Sequence, residues 1–429
     1  MEKIMATIRI LLSLVTFILP LVIANKSNAQ NWPQFRGPGG NAFSADTNIP
    51  SGWDNSKNMI WKCDLPGKGS SSPIVWKNNI FITCFINQES GIERSLLCID
   101  KNSGKVMWKA VVKPDSQDDP YSGYLTQHGY ASSTPVTDGE SIFVFFGKAG
   151  VLAFDFSGKE IWRKSVGNKS GNRKWGSASS PILHKDMVII NASEESRAVI
   201  ALNKKTGTEV WKAQGDKIEL SYSTPFIFNS SPEKQVIILP VPGETWAINP
   251  DNGKLAWFAE TPLHGNVSPT VTSKDDLIFC FGGFPQTKSI AIKAQGKGDL
   301  SANITWTSTD SSYVPSPIVF REHLYWVSDR GLAYCAEAAT GKVIYKERLP
   351  VKSSGGVARP VYASMILVND KLIAVTRQDG TFVLKAGPSF QLISHNKISD
   401  ETDFNASPAV SEGKLFLRSD KCLYCIGNP

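Results

Sequence analysis

The apolar residues of this chain fall in short β-branched and aromatic runs separated by clusters of Gly, Asn, Asp and Lys. The stretch from Ser72 to Trp108 shows the unit. It opens with Ser72-Pro73-Ile74-Val75 and continues through Ile80-Phe81-Ile82-Thr83 and Leu96-Leu97-Cys98-Ile99-Asp100. After the turn Asn102-Ser103-Gly104-Lys105 it closes with Val106-Met107-Trp108. Runs of this length and composition predict short antiparallel strands. Four of them fit in roughly 40–50 residues, the size of one propeller blade.

The unit recurs. A Ser/Thr-Pro strand start stands at Ser72-Pro73, Thr134-Pro135, Ser180-Pro181, Thr224-Pro225, Ser268-Pro269, Ser316-Pro317 and Ser407-Pro408, and Ser364-Met365 fills the one missing place. Proline costs no ladder donor at the first residue of a strand. A Gly-x-x-x-Trp ending follows at Gly104/Trp108, Gly158/Trp162, Gly207/Trp211 and Gly253/Trp257, with altered copies ending at Trp306 and Tyr345. Glycine there supplies a left-handed turn, and the aromatic is placed to wedge against the neighbouring blade. Eight strand starts predict an all-β, eight-bladed β-propeller of four-stranded antiparallel blades. The last start, Ser407-Pro408, is followed by only two further strands, so Met59-Ile60-Trp61-Lys62-Cys63 is expected to complete that blade and close the ring. Blades are expected at about 65–109, 131–164, 177–213, 221–259, 265–308, 313–348 and 361–396, with 404–427 plus 58–64 as the eighth. No helical periodicity of useful length follows residue 30.

Three domains result: a signal peptide over 1–29, an extension over 30–57 that packs on the propeller, and the propeller over 58–429. Lys3 and Arg9 precede an apolar run from Ile10 to Ile23, and Ser27-Asn28-Ala29 supplies small residues before a cleavage at Gln30. The run is short for a membrane span and contains Pro20, and no cysteine stands near the cleavage site for lipid attachment. The expectation is a periplasmic or secreted monomer without a transmembrane anchor. Within the extension, Trp32, Phe35 and Trp53 are expected to plug an otherwise open surface. The excess of basic over acidic residues is slight, and no basic stripe with interleaved aromatics appears, so nucleic acid is not an expected partner.

Seven cysteines, Cys63, Cys84, Cys98, Cys280, Cys335, Cys422 and Cys425, sit mostly in apolar runs as small buried hydrophobes. Cys422 and Cys425 have redox-motif spacing but lie on a strand, without a helix N-terminus to lower a thiol pKa. Cys63 on the closing strand neighbours them, so a disulfide latch across the ring seam is one expectation. Strand starts are 43 to 48 residues apart except before the second blade, where Pro73 and Pro135 are 62 apart. The inserted residues, with Pro114-Asp115-Ser116-Gln117-Asp118-Asp119-Pro120-Tyr121, Tyr124 and His128, suit a lid or binding loop.

Copies such as Ile200-Ala201-Leu202-Asn203-Lys204-Lys205-Thr206-Gly207-Thr208-Glu209-Val210-Trp211 resemble the A-x-D-x-x-T-G-x-x-x-W repeat of PQQ-like (quinoprotein-type) β-propellers, over essentially the whole mature chain. The resemblance implies one of two roles. Periplasmic alcohol and sugar dehydrogenases of the family hold pyrroloquinoline quinone (PQQ) and Ca²⁺ over the central channel. Cofactor-free members, including BamB-like assembly propellers, bind proteins or other ligands. The chain lacks an adjacent Cys-Cys pair and a C-x-x-C-H haem motif, is shorter than the dehydrogenases, and lacks the lipid anchor of the assembly subunit. A fold of this kind carries many functions.

Loops entering the innermost strands should crowd around the axis and form a funnel. They bring Lys68, His128, Tyr130, Trp175, Tyr222, His264, Asn266, Tyr313, Arg359 and Asn405 as candidate ligand-binding residues, with Tyr362 and Asp403 beside them. The turns between second and third strands add Glu194, Glu195, Glu244, Asp329, Arg330, Asp379 and Asp420. Aromatic faces, two histidines and two cations suit a sugar, a quinone or a peptide end. A Ca²⁺ site would need six to eight oxygens at one point, for which Glu244, Asn266 and Asp403 are the donors on offer. No Ser-His-Asp or paired-carboxylate spacing stands out. The expected function is a non-catalytic module that binds an unknown protein partner or a small polar ligand with its funnel face. The alternative is a PQQ/Ca²⁺-dependent dehydrogenase of alcohols or sugars.

Overall fold

The computed structural model describes residues 31–89, 91–113, 118–231, 234–351 and 359–428. The expected signal peptide and its cleavage site lie outside these residues. Eight antiparallel blades form the ring. Blade 1 consists of Ile74–Trp76, Asn79–Gln88, Gly91–Asp100 and Val106–Val112, and the next blades repeat this order outward from the axis. The closing strand, Met59–Asp64, pairs antiparallel with Cys422–Gly427 and completes blade 8 as expected. Among the described residues helix is confined to single turns, of which Leu125–His128 and Ser193–Ser196 are α-helical.

The Gly-Trp signature joins consecutive blades at the outer belt. Trp61 of blade 8 donates its indole N–H to Lys101 O of blade 1, Trp108 to Phe156 O, Trp162 to Lys204 O, Trp211 to Pro250 O and Trp306 to Ala338 O, all within 2.7–3.0 Å. The ring of each Trp lies on the turn glycine of the next blade. A Cβ on Gly104 would sit 2.6 Å from Trp61, and Gly104 has φ +71, so both the turn and the docked indole require glycine there.

Two departures concern strands that the repeat pattern leaves unseen. Blade 4 gains a fifth strand, Gly298–Asp299, parallel on Leu255–Glu260, and blade 7 gains Phe43–Ser44, parallel on its innermost strand Ile366–Val368. Both cover an edge that would otherwise be open. A third departure is one of register. At the inner junctions the backbone N–H of Ser72 donates to Thr134 Oγ1, Thr134 to Ser180 Oγ and Ser180 to Thr224 Oγ1. On the other side Thr270 donates to Ser316 Oγ, Ser316 to Ser364 Oγ and Ser364 to Ser407 Oγ. Ser364 therefore holds its place in the ring without a proline. In blade 5 the place belongs to Thr270, two residues beyond the Ser268 of the sequence signature, because the junction is set by bonds to the neighbouring blade and not by the local dipeptide.

At the ring seam a buried arginine replaces the hydroxyl link. Arg418 of blade 8 donates to Ser71 O, Ser71 Oγ and Thr83 O of blade 1 at 2.5–2.8 Å. The disulfide expectation fails here. Register sets Cys63 against Leu423, Asp64 against Cys422 and Trp61 against Cys425, so no cysteine faces another across the ladder, and all seven are buried free thiols.

Residues 31–58 run across one end of the channel and bond to several blades. Trp32 bridges Val75 of blade 1 with two backbone bonds of 2.8 Å, and Thr137 N of blade 2 donates to Pro33 O. Arg36, fully buried, donates to Gly40 O and to Pro317 O of blade 6, and Trp53 N reaches Asn396 Oδ1 of blade 7.

Candidate functional site

The insertion before blade 2 is built back onto blades 1 and 2 by largely buried ion pairs. Arg94 of blade 1 grips Asp118 with two bonds of 2.5 and 3.1 Å. Lys148 of blade 2 pairs with Asp119 at 3.0 Å, and Ser170 Oγ donates to the same carboxylate. Tyr130 donates to Asp119 O at 2.6 Å and lies under the Arg94 guanidinium. Asp118 and Asp119 thus anchor a segment whose single helical turn, Leu125–His128, swings over the mouth of the channel.

That turn places Tyr124 near the axis. Its ring lies 4.7 Å from Trp175 of blade 3 and 6.3 Å from Tyr313 of blade 6, edge-on to the latter. Tyr362 Oη of blade 7 donates to Tyr124 Oη at 3.1 Å, and Asn405 Nδ2 of blade 8 donates to Gln127 O at 2.9 Å. Beneath this roof is a cavity of about 160 Å³. Its walls include Trp175, Tyr222, Tyr313 and Tyr362, together with Asn266, His128 and the hydroxyls of the inner ring, and its floor is Phe35 of the N-terminal segment. Among the described residues, no Lys, Arg, Asp or Glu lines it.

Each expected site residue has a definite place. His128 lines the cavity with both ring nitrogens engaged: Nε2–H donates to Trp175 O at 2.8 Å, which leaves Nδ1 to accept from Ser132 Oγ at 2.6 Å. Desolvation lowers its pKa to about 4, so the ring is neutral at physiological pH and holds the Trp175 peptide. Trp175 stacks obliquely on Tyr222, whose hydroxyl donates to Glu194 Oε1 at 2.7 Å. Asn266 Nδ2 donates to Tyr313 Oη at 2.6 Å. Asn405 Oδ1 is buried without a donor among the described residues. Trp175, Tyr222, Tyr313, Asn266, Asn405 and His128 therefore converge.

The others do not. Tyr130 belongs to the anchor of the insertion, Lys68 and His264 are exposed and do not line the cavity, and Arg359 stacks 4.0 Å over Tyr313 from outside while pairing with Asp329 at 3.0 Å. The rim carboxylates have found internal partners as well. Asp403 pairs with Arg377, Glu244 with Lys217, and Asp379 is buried. Arg330 is exposed, and burial pushes the Asp420 carboxyl up from its usual range. Glu195 is the most displaced acid. Buried under the insertion, with Glu194 and Lys148 close by, its pKa rises to about 7 through desolvation. Both its oxygens lie 2.7–2.8 Å from Ser177 Oγ. One hydroxyl proton serves one oxygen, and a protonated carboxyl supplies the other.

The arrangement does not fit PQQ with Ca²⁺. Glu244 is held by Lys217 and by Trp246 Nε1, Asn266 by Tyr313, and Asp403 by Arg377 and Gln378, so the three oxygens offered for Ca²⁺ belong to separate clusters. Among the described residues no group of three or more His, Cys, Asp or Glu has metal-binding geometry. An anionic quinone would also enter a cavity whose described wall residues include no Lys or Arg.

Gln127, Phe35 and the inner-ring hydroxyls are cavity residues that the funnel reading passes over. The hydroxyls are visible in sequence as strand-start signatures, and their role at the axis comes from the ring that aligns them.

A family model described as outer membrane protein assembly factor BamB matches residues 92–347, more than half of the chain. No curated protein matches it. Among solved structures, BamB from Moraxella catarrhalis superposes with a TM-score of 0.58 at 12% identity, covering 86% of this chain and 99% of that one. A europium-containing methanol dehydrogenase gives 0.62 at 10% identity, covering 93% and 98%. The computationally designed Ika8 protein gives 0.59 at 9%, covering 86% and 100%. At these identities the structural likeness concerns the fold.

Proposed function

The chain belongs to the family of outer membrane protein assembly factor BamB, and we propose that it acts outside the cytoplasm as a non-catalytic binding module whose working surface is the funnel face. The observation that carries this reading is the roofed cavity. Tyr124 is brought across the ring by a dedicated insertion to close an aromatic chamber, an arrangement that retains or presents a ligand. The family description names an assembly factor, a role exercised by binding. Export is supported by Lys3, Arg9, the apolar run Ile10 to Ile23 and the small residues at 27–29. The separate partners of Glu244, Asn266 and Asp403 weigh against a PQQ dehydrogenase. The ligand is a small polar molecule; a protein partner on the same rim would be anchored by its aromatics.

Hydrogen exchange of the mature protein tests the reading, with and without fractions of a cell-envelope extract. Protection is expected in 119–130, around Trp175 and around Tyr313. Protection confined to the outer strands or to the Phe35 end would overturn it. So would dye reduction by the protein loaded with PQQ and Ca²⁺ in the presence of an alcohol or sugar.

A further inference from the structure

The six links of the inner ring share a chemical detail. In each, the side-chain oxygen of Thr134, Ser180, Thr224, Ser316, Ser364 or Ser407 receives a backbone N–H from the preceding blade. A hydroxyl has one proton to give and two lone pairs. The oxygen is thus fixed as an acceptor, the proton is left over, and no acceptor among the described residues takes it. All six residues line the axial cavity. The result is a crown of O–H donors around the axis, each polarised by the N–H it accepts.

Three further observations narrow what such a crown can hold. Among the described residues the cavity wall carries no charged side chain, and His128, its one imidazole, is kept neutral with both nitrogens used. A full charge placed there would be desolvated without a counter-ion. The volume, about 160 Å³, is that of one six-membered ring, since a cavity of about 150 Å³ accepts benzene. Finally, the funnel end of the cavity is walled by aromatic faces, Trp175 and Tyr124 at 4.7 Å and Tyr222 at 6.1 Å from Trp175. Flat apolar faces suit the C–H face of a saturated ring, while the crown suits its oxygens.

We propose that the axial cavity is a binding site for a neutral, single-ring polyhydroxylated ligand, a pyranose or cyclitol, held between the hydroxyl crown and the Tyr124–Trp175 roof. The proposal rests on the funnel reading and adds the ligand class. The ligand enters by displacement of the roof, because the floor is fixed by Phe35 and its buried neighbours. Asn405, which holds the roof through Gln127 O and whose Oδ1 has no donor among the described residues, is placed to bond a ligand hydroxyl when the roof reseats.

Saturation-transfer NMR and calorimetry on the full mature chain supply the test. The probes are a panel of neutral hexoses with myo-inositol, and the charged analogues glucuronate and glucosamine. Saturable binding of a neutral ring is expected, weakened about tenfold or more in its charged analogue. Tyr124→Ala, and separately Thr134→Val, should weaken it by a similar factor; the second keeps the side-chain shape and removes one crown donor. Equal or tighter binding of glucuronate or glucosamine would overturn the neutral class and leave the funnel reading standing. Neutral-ring binding that neither variant changes would put the site elsewhere. If no ring binds while an extract still protects the funnel from hydrogen exchange, the ligand class is wrong and the binding face is right. If neither occurs, both fall.

Discussion

The two ends of the axial cavity are covered by different means. The floor is Phe35, held in a segment with fully buried Trp32 and Arg36, backbone bonds to blades 1 and 2, a side-chain bond to blade 6 and a parallel strand on blade 7. The roof is Tyr124, half-buried, held by a hydroxyl bond and by ring contacts, on a single helical turn tied down by side-chain bonds from Asn405 to Gln127 O and from His128 to Trp175 O. The floor is part of the core, whereas the roof can leave without unmaking any sheet. Local openings draw on segments with few buried contacts and few backbone bonds, which assigns access to the funnel end.

The largest effect is expected at the floor. Trp32→Ala removes a fully buried indole and should cost about 3–5 kcal/mol of stability, read as a lower urea midpoint. If the loss were under about 1 kcal/mol, the plug would be no more integral than the roof.

A pH test addresses the anchor of the roof. Glu195 has a folded pKa of about 7, above its ordinary 4.5, so its contribution to stability is full below pH 4.5 and is lost as pH rises to 7. His128, depressed from 6.5 to about 4, works in the opposite sense, its contribution being present above 6.5 and lost as pH falls to 4. The two nearly offset one another in the native protein. Relative to it, Glu195→Gln should leave a chain that loses stability on acidification from pH 7 to 4.5, by up to ~3 kcal/mol. His128→Gln should give one that gains stability over the same interval. Thermal melts at pH 7.5 and 5 read both signs, and parallel behaviour of the two variants would contradict the assignment.

Tyr124→Ala should cost only about 1 kcal/mol globally. It should nevertheless speed amide exchange around Trp175 at least several-fold and leave the segment around Trp32 unchanged. Equal acceleration at both ends would erase the distinction between roof and floor. The smallest effect is expected from the second layer of hydroxyl links, in which Ser133, Ser179 and Ser223 donate to the carbonyls of Ser179, Ser223 and Pro269. Ser179→Ala should cost about 1 kcal/mol in urea unfolding.

The sequence made the fold legible where the determinant is local and repeated. A strand start, a turn glycine and an outer tryptophan recur blade after blade, and the same spacing that reveals them exposes the insertion and the strand missing from the end of the chain. Legibility fails where one blade must meet another. Ser268-Pro269 looks like its counterparts, yet Thr270 makes the junction bond, 46 residues from its partner Ser316. Arg359 and Asp403 look like free rim charges until the ring sets them beside Asp329 and Arg377.

Eight blades, their order, the closing strand and the aromatic belt were thus determined by the sequence itself, because each follows from hydrophobic alternation and turn chemistry within some tens of residues. The chamber was decided by tertiary structure. Tyr124 and Tyr362 are 238 positions apart when their hydroxyls meet, and closing the ring places eight loops of ordinary composition around one axis. There the charged side chains pair outside the chamber and hydroxyls and aromatic faces are left within, since burying an unpaired charge costs far more than burying a bonded hydroxyl.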